Sequence, residues 1–369
     1  MRLRTLLKLL TACFLVLLFW ISILAAASWR CDQRGSIFAS KPQPADRKAA
    51  TADIKDYLRP EDEAYLSYPE WYIVWSYVEK ADYQEKHLPS GFPYFAAARQ
   101  YWTSDCCISR AVRGKYSFNA GEQVMLVVLG FSFSGEYILK GSYERTVGKL
   151  SEWSSGHRPV EEDEYAAKMA RDYADFVHVR PFYEYGFARH VSGLWHSTHL
   201  WGAHPIRKWE RKAFLTADYT IEAFYAWLLE KITRLTYGDD IKETYAWIDN
   251  ADSTLLKKIP RIRTVKQVGP RSFIVDIPRY QEFTPLAVEL AGHDVRFVEI
   301  AGDAQILLSV LAPDSWKPDR TGAQQLFSTP VLIAPGRRRV VVNCEINSLH
   351  SILSAYRKDG VQIEHLYDY

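Results

Sequence analysis

Residues 9–27 carry no charged side chain, and this run of nineteen residues constrains every other reading of the chain. At about 1.5 Å per helical residue it reaches about 30 Å, the thickness of a bilayer's hydrocarbon core. Arg2, Arg4 and Lys8 precede the run, and Arg30 and Arg34 follow it. The positive-inside bias therefore sets the N-terminus in the cytoplasm and the body on the other side. A cleaved signal peptide competes with a retained anchor, because Ala25, Ala26 and Ala27 satisfy the small-residue rule for cleavage. The run exceeds the about 7–15 residues of a signal peptide's apolar region, which favours a single-pass anchor over residues 1–30. Both readings place the body outside the cytoplasm, in the periplasm where the cell has two membranes.

The rest of the 369-residue chain has globular composition, with 48% hydrophobic and 24% charged residues, enough for a sizeable core. A formal charge of +2 and the absence of a basic stripe argue against a nucleic-acid partner. Of the five cysteines, Cys13 lies in the apolar run; Cys31, Cys106, Cys107 and Cys344 admit three pairings in an oxidising compartment. A bridge between the neighbours Cys106 and Cys107 would be strained.

Residues 31–52 read as a tether and the folded body begins near Asp53. Residues 53–250 carry helical patterns. One helix is expected to open at Pro69, a buried one to cover residues 124–139, and one with four acids in its first turn to start at Glu161. The longest pattern starts at Pro205, with Trp209, Phe214, Ile221, Phe224, Trp227, Leu228 and Ile232 at helical spacing. After Pro260 the texture changes to short strands and two helices, in an order close to β-α-β-β-α-β. The expectation is an α+β protein: a membrane anchor, a helical aromatic-rich domain, and a ferredoxin-like α/β sandwich over residues 260–369. No internal repeat is visible in the sequence.

Two constellations point to chemistry or binding. Five of the ten histidines, His178, His190, His196, His199 and His204, fall within 27 residues. On a helix His196 and His199 are one turn apart, as two metal ligands require, and Asp175 stands in the same relation to His178. With Glu136 and Glu70 as further acids, such a set is a candidate zinc or di-iron centre. None of the strict ligand spacings occurs, so the alternative is that these histidines hydrogen-bond among aromatic residues. Glu136 lies in an apolar run and is a candidate general acid or base, with an ion pair to Lys140 as the plainer expectation.

Aromatic density is the second constellation: residues 65–102 hold twelve Tyr, Trp and Phe among 38 residues, suited to core packing or to headgroup depth in a bilayer. The leading functional expectation is a membrane-tethered extracytoplasmic protein that binds a lipid or a membrane protein and has no chemistry of its own. The alternative is a metal-dependent enzyme built on the histidines with Glu136 or Asp175 as catalytic acids.

Overall fold

The computed structural model describes residues 15, 16, 18, 19, 21–23, 26, 31, 35, 37, 38, 44–236, 242–318 and 320–368. Most of the expected anchor, residues 1–30, and of the first part of the expected tether, residues 31–43, therefore lies outside the described residues; the rest of the tether, expected to run to residue 52, is helical from Ala45 to Thr51. Among those described, the helices are α1 (Ala45–Thr51), α2 (Glu61–Gln84), α3 (Tyr94–Val112), α4 (Ala120–Tyr143), α5 (Lys149–Ser154), α6 (Glu161–Val177), α7 (Phe187–Ser197) and α8 (Pro205–Thr236). Then come β1 (Glu243–Asp249), α9 (Ser253–Lys258), β2 (Arg263–Gly269), β3 (Ser272–Pro278), α10 (Phe283–Gly292) and β4 (Arg296–Ile300). The chain closes with β5 (Gln305–Pro313), β6 (Ala323–Pro330), β7 (Arg337–Glu345), α11 (Leu349–Lys358) and β8 (Gln362–Tyr367).

The protein is thus mixed helix and sheet, and it divides into two units that are not consecutive blocks of chain. A helical unit takes Met1–Ala26, Trp71–Tyr101 and Leu129–Asp240; a sheet unit takes Ala27–Glu70, Trp102–Val128 and Ile241–Tyr369. The simple division into residues 53–250 and 260–369 misses this interleaving, because helical periodicity says nothing about which partner a helix face will meet. α2 begins eight residues before Pro69 and runs through it, so the expected start at Pro69 is corrected. A helix tolerates an internal proline at the cost of one backbone hydrogen bond.

The sheet unit differs from a single ferredoxin-like sheet. Its eight strands form two antiparallel four-stranded sheets, ordered β2-β3-β1-β4 and β6-β7-β5-β8. The two orders are the same connectivity used twice: a strand, a hairpin whose second arm lies beside the first strand, a helix, and a last strand on that first strand's other side. The repeated topology is invisible in the sequence because the two halves share a strand order and not residues. β1 and β2 are the strands the ferredoxin-like reading lacked. β2 is mostly exposed, so it offers little of the apolar alternation by which strands are recognised.

One hydrophobic cluster takes alternate residues of both sheets, such as Ile248, Val275, Leu308 and Val342, together with Leu286 and Leu290 of α10 and Ile352 and Leu353 of α11. Because strand side chains alternate between faces, the intervening residues face outward. Trp247 and Ile274 pack there against Tyr57. On the second sheet Tyr68 meets Phe327 and Tyr367, and the Tyr65 hydroxyl donates to Asn343 at 2.7 Å. Arg339 is buried in a two-point ion pair with Glu364. A disulfide joins Cys31 to Cys107, while Cys106 and Cys344 are buried thiols.

Candidate functional site

The helical unit is built around charge. On α8, Arg207, Lys208, Arg211 and Lys212 occur at the i, i+1, i+4 and i+5 spacing that puts them on one face, and all four are buried. Arg207 donates to both Asp163 carboxylate oxygens at 3.1 and 2.7 Å and to the Ser151 hydroxyl and the Gly148 carbonyl. Arg211 meets Glu144 at 2.8 Å and Asp163 at 3.2 Å. Lys208 and Lys212 pair with Glu161 and Glu162. The acidic start of α6, expected to serve the helix dipole, therefore supplies counter-ions to a buried cationic face.

Local backbone aims these groups. Residues Glu144–Gly148 form a π-turn between α4 and α5, which makes one rod of Ala120–Ser154. At Gly148 a Cβ would stand 2.5 Å from a Glu144 carboxylate oxygen, so a side chain there would displace that carboxylate. Glu144 is buried against Arg211; burial raises its proton affinity and Arg211 opposes that. The 35-residue rod is the one helix among the described residues long and apolar enough to cross a membrane. Its Glu136, Lys140, Glu144 and Glu152 side chains all find counter-charges within the protein, while Val124, Val127, Val128, Leu139 and Leu150 on the same rod are exposed.

Beside the arginines lies a cavity of about 50 Å³ bordered by α2, α3, α4, α6, α7 and α8. In it Lys140 reaches Glu136 at 2.8 Å, Asp218 at 3.1 Å and Glu222 at 3.2 Å. The Tyr77 hydroxyl donates to the other Glu136 oxygen at 2.7 Å. Burial acts to raise the Glu136 carboxyl, but Lys140, Lys80 and these hydrogen bonds outweigh it and the net direction is down. Burial pushes Glu222 up to about 7, with Glu136 and Asp218 adding and Lys140 opposing. Burial would lower Lys140, yet its three carboxylates hold it well above the usual lysine range. Lys80 is lowered by burial and by Lys140.

No protein-family model matches this sequence, and neither the curated proteins nor the solved structures give a match. Function must therefore be argued from the geometry alone.

The five histidines do not converge, which corrects the metal-site expectation for His178, His190, His196, His199 and His204. Among the described residues no three His, Cys, Asp or Glu side chains are placed to hold a metal ion. His178 donates from Nδ1 to the Ala174 carbonyl at 2.7 Å, and its ring lies near Trp75. His190 stacks on Tyr185, and burial lowers its proton affinity. The His196 ring donates to the Ser192 carbonyl, His199 sits exposed beside Glu161, and His204 occupies a left-handed turn with φ of 60°. Asp175 is exposed on α6 and Glu70 is exposed on α2. Of the expected acids only Glu136 is in the cavity, where the Lys140 pair is realised.

Sequence reasoning missed Lys80 on α2 and Asp218 and Glu222 on α8, which lie on other helices than Glu136. The readable signal was the cationic doublet pattern on α8 opposite an apolar face. Leu215, Tyr219 and Ala226 join a buried cluster with Phe214 partly buried beside them, while a second set of apolar side chains faces outward. Ile206 (67%), Ile221 (66%) and Phe224 (63%) are exposed, as are Trp209, Trp227 and Leu228. From Ile206 to Leu228 every exposed residue of α8 is uncharged, over about 33 Å of helix. Its seven charged side chains in that span all face inward, none more than 17% exposed. Trp153, Trp195 and Trp201 add three more exposed tryptophans to the same unit.

Proposed function

We propose that this chain is a membrane-tethered extracytoplasmic protein whose helical unit lies on the bilayer surface through the outer face of α8 and has no chemistry of its own. The observation that carries the reading is the sidedness of α8, with apolar residues outside and paired charges inside. In water such an arrangement leaves an apolar patch of the kind that marks an interaction surface. Against lipid it is the favourable arrangement, with tryptophans suited to headgroup depth.

Three further facts support this reading. Among the described residues of the apolar N-terminal run, Leu15, Val16, Phe19 and Ile23 are exposed apolar side chains. α6 exposes Glu164, Lys168, Asp172 and Asp175, so that side of the unit faces water and the unit lies on the membrane instead of crossing it. The Cys31–Cys107 bridge suits an oxidising compartment outside the cytoplasm.

The test is tryptophan fluorescence of the full-length protein in vesicles containing brominated phospholipid. Quenching by the lipid, and its loss in an Ile221→Glu/Phe224→Glu variant, is the expected result. Quenching by aqueous iodide instead would overturn the proposal. Protection from both quenchers would also overturn it, since another protein chain would then cover the face.

A further inference from the structure

The cavity holds more negative than positive charge in its central group. Glu136, Asp218 and Glu222 all lie within 3.2 Å of one ammonium, that of Lys140. Lys80 lines the same cavity, and among the described residues no carboxylate lies within ion-pairing distance of it. Even with Lys80 fully charged, three carboxylates face two cations. Glu144 and Arg211, which also border the cavity, neutralise one another and leave the surplus unchanged. A surplus charge out of bulk water is removed most directly by protonation of a carboxyl.

We propose that this cavity is a proton-binding site, in which the three carboxylates around Lys140 share one exchangeable proton that resides mainly on Glu222. Geometry sets Glu136 apart and leaves Asp218 and Glu222, which the Lys140 ammonium meets at 3.1 and 3.2 Å. Glu136 has two donors, Lys140 at 2.8 Å and the Tyr77 hydroxyl, which satisfy it as an anion. Glu222 has Lys140 alone, at 3.2 Å. Its burial, with Glu136 and Asp218 nearby, brings its titration to about 7.

The groups facing it from each helix are Lys80 and Tyr77 on α2, Tyr94 on α3, Glu136, Lys140 and Glu144 on α4, Tyr173 on α6, and Arg211, Asp218 and Tyr219 on α8. The tyrosines stay neutral across this range, since burial raises each of them well past its ordinary value. On a rise in pH the O–H bond of Glu222 breaks and the proton leaves to water, for which about 50 Å³ gives room for a few molecules. No oxidant or second reactant is needed. The site goes beyond the lipid-surface reading and stands whether or not α8 touches a bilayer.

Infrared difference spectroscopy of the full-length protein, titrated from about pH 5 to about pH 9, tests it through the C=O band of the protonated carboxyl. The wild type is expected to lose one carboxyl equivalent with a midpoint near 7, and Glu222→Gln to lack that component. Glu222→Asp, which keeps a carboxyl, is expected to retain a titrating band at a shifted midpoint, and it serves if the glutamine variant does not fold. Absence of the band in the wild type, persistence in Glu222→Gln, or an unmoved midpoint in Glu222→Asp would each overturn the proposal. Retained quenching by brominated lipid in Glu222→Gln separates failure here from failure of the membrane reading.

Discussion

Arg211 and Glu144 meet at 2.8 Å with each side chain 2% exposed, joining α8 to the π-turn at the end of α4. Buried pairs of this kind contribute little net stability over an apolar pair, but removing one partner strands a charge. Glu144→Gln and Arg211→Met are each expected to cost about 3–5 kcal/mol, measured by unfolding of the purified protein in detergent. The double variant is expected to lose less than the sum, because neither charge is then left alone. Strict additivity would show that the two residues act independently.

At Gly141, α4 packs directly against Tyr94 of α3. A Cβ there would stand 2.7 Å from the Tyr94 Cβ. Gly141→Ala should therefore force the helices apart at a cost of about 1–3 kcal/mol. Gly121→Ala, whose nearest neighbour is a side-chain atom 3.7 Å away, is the control and should be near neutral in the same unfolding assay.

Asp368 in the sheet unit is buried against Arg279, and burial pushes its carboxyl up to about 6, with Arg279 opposing. The folded state thus holds this proton more tightly than the unfolded chain does. The resulting stabilisation is complete below about pH 4 and is lost as pH rises through about 6. Its full size is roughly 3 kcal/mol at about 1.4 kcal/mol per unit. Asp368→Asn is expected to flatten that part of the stability profile relative to wild type, followed by thermal unfolding at fixed pH values. An unchanged slope between about pH 4 and 6 would remove Asp368 as its source.

The Cys31–Cys107 bridge spans 76 residues of sequence. Closing a loop of that length constrains the unfolded chain, and Cys107→Ser should cost about 2–5 kcal/mol. Cys106→Ser leaves the bridge intact. Thiol labelling after denaturation should find one fewer disulfide in the first variant and no change in the second; bridging through Cys106 in the first would show exchange between the neighbours.

Much of the sheet unit was legible because strands and short helices announce themselves locally. β3, β4, β5 and β7 are dense in β-branched residues, and α10 and α11 follow each hairpin where a crossover must fall. The repeated topology was not legible, since strand order is set by which strands pair and not by local residue pattern. The Glu136–Lys140 pair was readable because both partners lie on one helix, four residues apart. Asp218, Glu222 and Lys80 were not, because they reach the cavity from other helices.

By itself the sequence determined that an uncharged run of membrane-spanning length begins the chain, that a helical region precedes a strand-rich one, and that α8 has one apolar and one charged face. Only the tertiary structure decided which face of α8 points inward. Amphipathic periodicity has no sign: it separates two faces and does not say which is covered. Here six acids, Glu144, Glu152, Glu161, Glu162, Asp163 and Glu210, come together around the four cations of α8. Their mutual pairing makes burial of the charged face tolerable and leaves the apolar face outside, and the histidines, close in sequence, are parted by the turns between α6, α7 and α8.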